Sequence, residues 1–126
     1  MSTKIFLSYA HEDSGLAESL MAKLSQVLRA KGDEVHVFDA HKDLIPGENM
    51  RQVIRSKMDA ANAVVIVSSP NTDLSQWVNY EAGMASAMNK PVMVIGEHGA
   101  GKTTLLKRLE SNNVKIIDLE DLGLLS

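Results

Sequence analysis

The sequence predicts an α/β fold: a parallel sheet of five strands wrapped on both faces by helices. Three observations carry that expectation. Short apolar runs alternate along the chain with longer stretches whose apolar residues recur every three or four positions. Most of those runs are apolar without alternation, as strands covered on both faces require. The composition is that of a globular domain, 44% apolar and 23% charged over 126 residues, with enough chain to bury a core.

Each element has a local reason. The run 4–8 (Lys-Ile-Phe-Leu-Ser) reads as a buried strand, A. A helix over about 14–31 follows, because Leu16, Leu20, Met21, Leu24, Val27 and Leu28 recur at helical spacing while Glu18, Lys23, Gln26 and Arg29 face away. Gly32 is its stop signal. The segment 34–39 is strand B. Pro46-Gly47 punctuates a loop before a second helix over about 48–61. The run 63–67 (Ala-Val-Val-Ile-Val) is the most apolar strand, C, and belongs at the centre of the sheet. A loop from 68 leads to a third helix over about 74–89, with Thr72 or Asp73 as its cap. Strand D spans 91–95; a glycine-rich loop, a helix to about residue 109 and strand E at 114–117 complete the chain. With right-handed crossovers the simplest strand order is B-A-C-D-E, the flavodoxin-like arrangement. Its switch point lies between A and C, so a ligand is expected beyond their C-terminal ends, at loops 9–13 and 68–73. No repeat or linker interrupts the pattern. The expectation is one domain over 1–126, standing alone or as the N-terminal domain of a longer protein.

Composition also excludes. Thirteen basic against 16 acidic residues give a net charge of −3, which argues against a polybasic nucleic-acid binder. There is no cysteine for a disulfide, a thiolate zinc site or a cysteine nucleophile. The four histidines show no metal-ligand spacing, so no metal is expected. No apolar run reaches the roughly 18 residues that would span a membrane, and no signal peptide precedes strand A. A cytoplasmic protein follows as the default.

The third helix holds the anomaly. Trp77, Tyr80, Met84, Ala85 and Met88 form an apolar stripe, and Glu81 falls inside it. A carboxylate on a packed face is costly unless it is paired or lines a cleft. Either Glu81 sits at the edge of the stripe, reaching water or a base such as Arg55, or it belongs to a site.

The segments in order resemble a Toll/interleukin-1 receptor (TIR) domain of the bacterial, NAD-cleaving type. Ile5-Phe-Leu-Ser-Tyr-Ala-His-Glu-Asp13 is similar to the family's first box. Asp39 with Ile45-Pro46-Gly47-Glu48 is similar to the loop after its second strand. Ser68-Ser-Pro-Asn71 and Trp77-Val-Asn-Tyr-Glu81 are similar to its third block, including the Trp-x-x-x-Glu of catalytic members. The matches fall over residues 4–95 and fade beyond strand D.

The resemblance implies an enzyme that cleaves the nicotinamide–ribose bond of NAD+, with Glu81 as the catalytic residue. NAD+ is then the substrate, and no cofactor is implied. Nicotinamide departs from a cationic ring as a neutral molecule, so its leaving needs no acid, unlike a sugar alcohol in glycosidases. One carboxylate suffices to orient the ribose hydroxyls and stabilise the oxocarbenium-like centre. Water gives ADP-ribose; a nucleophile within the substrate gives cyclic ADP-ribose, and the sequence leaves both open. Ser8, Tyr9, Ala10 and His11 after strand A, Asp39, Ile45, Pro46 and Gly47 after strand B, Ser68, and Trp77 are the candidate substrate contacts. The family further implies TIR–TIR self-association, a sensor or effector partner, and antiviral defence signalling against phage. The same fold can instead serve as a non-catalytic TIR–TIR signalling adaptor. A nucleoside deoxyribosyltransferase shares the fold class and the glutamate chemistry, but fits the Ile45-Pro-Gly47 loop and Trp-x-x-x-Glu less well.

One motif stands outside that reading. Gly96-Glu-His-Gly-Ala-Gly-Lys-Thr103 matches a phosphate-binding loop, with Gly101, Lys102 and Thr103 as candidate phosphate contacts. Only 23 residues follow it, too few for the remaining strands of a P-loop nucleotide-binding fold that began there.

Overall fold

The computed structural model of the chain describes residues 2–43, 47, 49–69, 75–96 and 116–118. Its strands are β1 (Ser2–Ser8), β2 (Glu34–Asp39), β3 (Ala63–Ser68), β4 (Val92–Gly96) and β5 (Ile116–Asp118). They pair in parallel in the order β2-β1-β3-β4-β5. The helices are α1 (Ser14–Ala30), α2 (Ala40–Asp43), α3 (Met50–Ala60) and α4 (Gln76–Ala87), with a 3-10 turn at His11–Asp13. The expected class, a parallel sheet with flanking helices, stands.

Alternation along the strands builds two cores. Ile5 and Leu7 of β1 and Val65 and Val67 of β3 face α1, packing on Ala17, Leu20, Met21 and Leu24. Phe6, Val64, Ile66, Val92 and Val94 point the other way, onto Ile54 and Met58 of α3 and Val78, Ala82 and Ala85 of α4. Strands A and C therefore read as continuous apolar runs because both of their faces are covered.

The helix ends follow local chemistry. After α1, the Gly32 N–H donates to Arg29 O at 2.9 Å and the Asp33 N–H to Leu28 O at 3.1 Å, with Gly32 at φ +92. This is a Schellman ending, which needs a left-handed residue where Gly32 stands. Asn89 (φ +55) repeats it after α4, where the Lys90 N–H donates to Ala85 O. Asn49 caps α3 by accepting from the Gln52 N–H. Ser75 caps α4 by accepting from the Val78 N–H at 3.1 Å. The expected cap at Thr72 or Asp73 is corrected accordingly: the hydroxyl beside the first turn is that of Ser75, and 72 and 73 lie outside the described residues. So does the expected helix to residue 109. The four-residue α2 has no counterpart in the expectation, because Ala-His-Lys-Asp is too short to display a period.

Candidate active site

The switch point between β1 and β3 places their C-terminal ends side by side, with α1 leaving to one face and α4 packed on the other. Ser8 has the same parity as Phe6, so its hydroxyl faces α4. Across from it, α4 buries Val78, Glu81, Ala82 and Ala85, a three- and four-residue spacing that puts Glu81 in the middle of the packed face. Glu81 is 0% exposed. The stripe expected from sequence is corrected in one respect: Tyr80 is 44% exposed and Val78 takes its place, because the face toward the sheet is turned by one position. Trp77, Met84 and Met88 flank that face, half-buried.

The edge reading of Glu81, with water or Arg55 as partner, is overturned. Arg55 is exposed, and among the described residues neither Glu81 oxygen has a hydrogen-bond partner. Ser8 Oγ and Trp77 Nε1 are likewise buried without a partner among the described residues. Native structures seldom leave such groups unsatisfied, and here four atoms on three neighbouring residues are left so together. Burial pushes the Glu81 carboxyl up to about 8, and the nearby Asp39 charge adds to the rise. The Ser8 hydroxyl and the Trp77 indole oppose it, lying close enough to temper the shift without completing a hydrogen bond. Glu81 thus presents a buried carboxyl group to two donors that, among the described residues, complete no hydrogen bond.

Around this centre a framework holds the loop after β1 against the end of β2. The Tyr9 hydroxyl donates to Asp39 Oδ2 at 2.8 Å, both residues being buried. Burial and the Asp39 carboxylate together hold the Tyr9 phenol well above its ordinary value. Asp39 Oδ1 accepts from the His41 N–H, and Asp43 Oδ2 accepts from the Asp39 N–H. The Ser69 hydroxyl donates to Asp13 Oδ2 at 2.5 Å, tying the loop after β3 to the loop after β1 across the switch point.

Of the candidate contacts, Ser8, Tyr9, Asp39, Trp77 and Glu81 converge on this end of the sheet, with His11 exposed beside them. Ala10 is fully enclosed in the core, so its part is to hold the loop, its carbonyl accepting from the Asp13 N–H. Ser68 ends β3 at the switch point. Gly47 is exposed at φ +93, a turn conformation that suits glycine. Ile45, Pro46, Gly101, Lys102 and Thr103 lie outside the described residues. His41 is the residue that sequence reasoning missed. Its ring meets Tyr9, Trp77 and His11, yet a histidine in a four-residue helix carries no pattern. The one available signal was its position two residues after Asp39. A separate cavity of about 410 Å³ opens between β2 and α3 and includes neither Glu81, Ser8 nor Trp77.

Residues 5–123 match the family model of the TIR domain, and the chain belongs to that family. No curated protein matches its sequence. Solved structures share the fold at low identity. The TIR domain of the Toll-related receptor TRR-2 of Hydra magnipapillata is 18% identical with a TM-score of 0.64, over 94% of this chain and 86% of that one. The Clostridium botulinum CMP N-glycosidase BcmB is 19% identical with a TM-score of 0.58, over 92% and 88%. The TIR domains of the activated Roq1 resistosome are 20% identical with a TM-score of 0.57, over 87% and 72%.

Proposed function

We propose that the chain is an NAD+ nucleosidase in which Glu81 promotes cleavage of the nicotinamide–ribose bond. The observation that carries this reading is the placement of Glu81, fully buried, with neither oxygen hydrogen-bonded among the described residues and with the Ser8 hydroxyl and Trp77 indole close by. Packing alone would favour an apolar residue there, since an unpartnered buried acid is destabilising. NAD+ supplies what the site lacks. Its pyridinium ring carries a positive charge, and its ribose hydroxyls can donate to the carboxylate. As the C1′–N bond breaks, the electron pair goes to the nicotinamide nitrogen, which becomes neutral. The positive charge moves to the ribose, where the Glu81 carboxylate stabilises it. Water then bonds to C1′ and releases a proton, giving ADP-ribose; attack by a nucleophile of the substrate itself gives a cyclic product.

Two further parts of the proposal rest on the family. TIR–TIR self-association is supported by the fold shared with the TIR domains of a resistosome. A role in bacterial anti-phage defence, in the cytoplasm and under a sensor or effector partner, follows from the bacterial-type motifs. Among the described residues no helix is long and apolar enough to cross a membrane. The adaptor alternative needs the fold but gives Glu81 no task, so the unsatisfied acid weighs against it.

The test is nicotinamide release from NAD+ at high protein concentration, followed by chromatography. Wild type is expected to release nicotinamide, and Glu81→Gln to lose at least about 100-fold in rate. Equal release by the two proteins would overturn the assignment. ATP hydrolysis lost in Lys102→Ala, with no nicotinamide released, would establish the phosphate-loop reading in its place.

A further inference from the structure

The cavity between β2 and α3 exists because the sequence puts no apolar bulk there. Helix α3 reaches the sheet through Ile54 and Met58, which join the core built on Phe6 and Val64. Toward the edge strand it offers Lys57 and, at its end, Ala60 and Ala61. A lysine and two alanines do not fill the space beside β2, and about 410 Å³ stays open. That volume falls within the range of small-molecule sites, roughly 300–1,000 Å³.

Strand register sets the opposite wall. Lys4 pairs with His36 and Phe6 with Phe38 across β1 and β2, so Lys4, His36 and Phe38 share the sheet face that α3 covers. Phe38 is the floor. Its ring leans on Phe6, with 5.4 Å between centroids, and stays half-buried, with Lys57 Nζ 5.8 Å from its centre. Three basic side chains, Lys4, His36 and Lys57, thus line the cavity against one carboxylate, Asp43. That carboxylate is engaged, its Oδ2 accepting from the Asp39 N–H at 2.8 Å. His36 has Glu34 at 3.6 Å. Neither Lys4 nor Lys57 has a carboxylate within ion-pairing distance among the described residues.

We propose that this cavity is a second binding site, taking a small, flat aromatic anion whose ring lies against Phe38 and the two alanines and whose negative group is held by Lys4 and Lys57. A ring without charge leaves both ammonium groups without a counter-ion. An anion without a ring leaves the apolar floor in water. Lys4, Phe38 and Lys57 take no part in the framework around Glu81, so this site stands or falls apart from the glycohydrolase reading.

The probe is 1-naphthyl phosphate, titrated by calorimetry, with backbone amide shifts in NMR to place it. Saturable binding at one site is expected, with shifts gathered on β2 and the end of α3. Lys4→Gln and Lys57→Gln should each weaken it about three- to fivefold. Lys23→Gln makes the same charge change on α1, at the opposite face of the sheet, and should leave the affinity unchanged. All three lysines are exposed, so the variants are expected to keep the fold, with thermal melts as the check. Inorganic phosphate and 1-naphthol carry one half of the probe each and should bind at least about tenfold more weakly. A comparison with 1-naphthoate separates the sources: tighter naphthoate assigns the site to aromatic carboxylates, tighter naphthyl phosphate to phosphate monoesters. Equal weakening in all three lysine variants would reduce the effect to net charge and overturn the site. Inorganic phosphate binding as tightly as the probe would do the same, as would amide shifts gathered away from β2 and α3.

Discussion

At the scale of single residues, Glu81 couples stability and, on the proposed mechanism, activity to pH, each with a definite sign. Its folded-state value of about 8 stands above the ordinary 4.5. Below 4.5 both the folded and the unfolded chain hold the proton, and nothing is lost. Between 4.5 and 8 the unfolded chain ionises while the folded one does not, so stability falls as pH rises, on the order of 1.4 kcal/mol per unit. Glu81→Gln removes that burden. The variant is expected to melt above wild type at pH 8 and much closer to it at pH 5, with calorimetry at the two pH values as the check. Activity runs the opposite way. On the proposed mechanism the reacting form is the carboxylate, so kcat/KM should climb with pH toward a plateau above about 8. The bound pyridinium favours ionisation, so the kcat profile should be displaced to lower pH. A flat kcat/KM between pH 6 and 9 would remove Glu81 from the chemistry.

At the scale of elements, the two caps on the site face separate stability from function. Asn49 starts α3 and Ser75 starts α4, each accepting one backbone N–H. Replacing either by alanine should cost about 1 kcal/mol. Only Ser75 sits two residues before Trp77 and six before Glu81. Ser75→Ala should therefore lose more activity than Asn49→Ala for a similar fall in melting temperature, as paired melts and rates would show. The elements were legible from the sequence wherever one local force decides them. The apolar runs of β1, β3 and β4 and the periodic face of α1 announce themselves, and Gly32 marks the end of α1 by its backbone freedom. Glu81 was visible for the same reason, as a charge inside an apolar stripe. His41, the Ser69–Asp13 bond and the turn of α4 that exposes Tyr80 were not. Each depends on which strand ends the topology brings together, and no local pattern records that.

At the scale of the whole molecule, self-association predicts a rate that depends on protein concentration. Nicotinamide release per molecule should rise several-fold over the range in which light scattering detects assembly. Constant specific activity across that range would make the monomer sufficient. The two ends of the sheet also differ in what holds them. Where the strands finish, the joints are Asp13 to Ser69 and Asp39 to Tyr9, and each depends on a carboxylate. Beneath them, Lys90 Nζ donates to the carbonyls of Asp59 at 2.6 Å and Ala61 at 3.0 Å, fastening the end of α4 to the end of α3. Opening at the site end therefore breaks only hydrogen bonds between side chains, while α3 and α4 stay pinned at their feet.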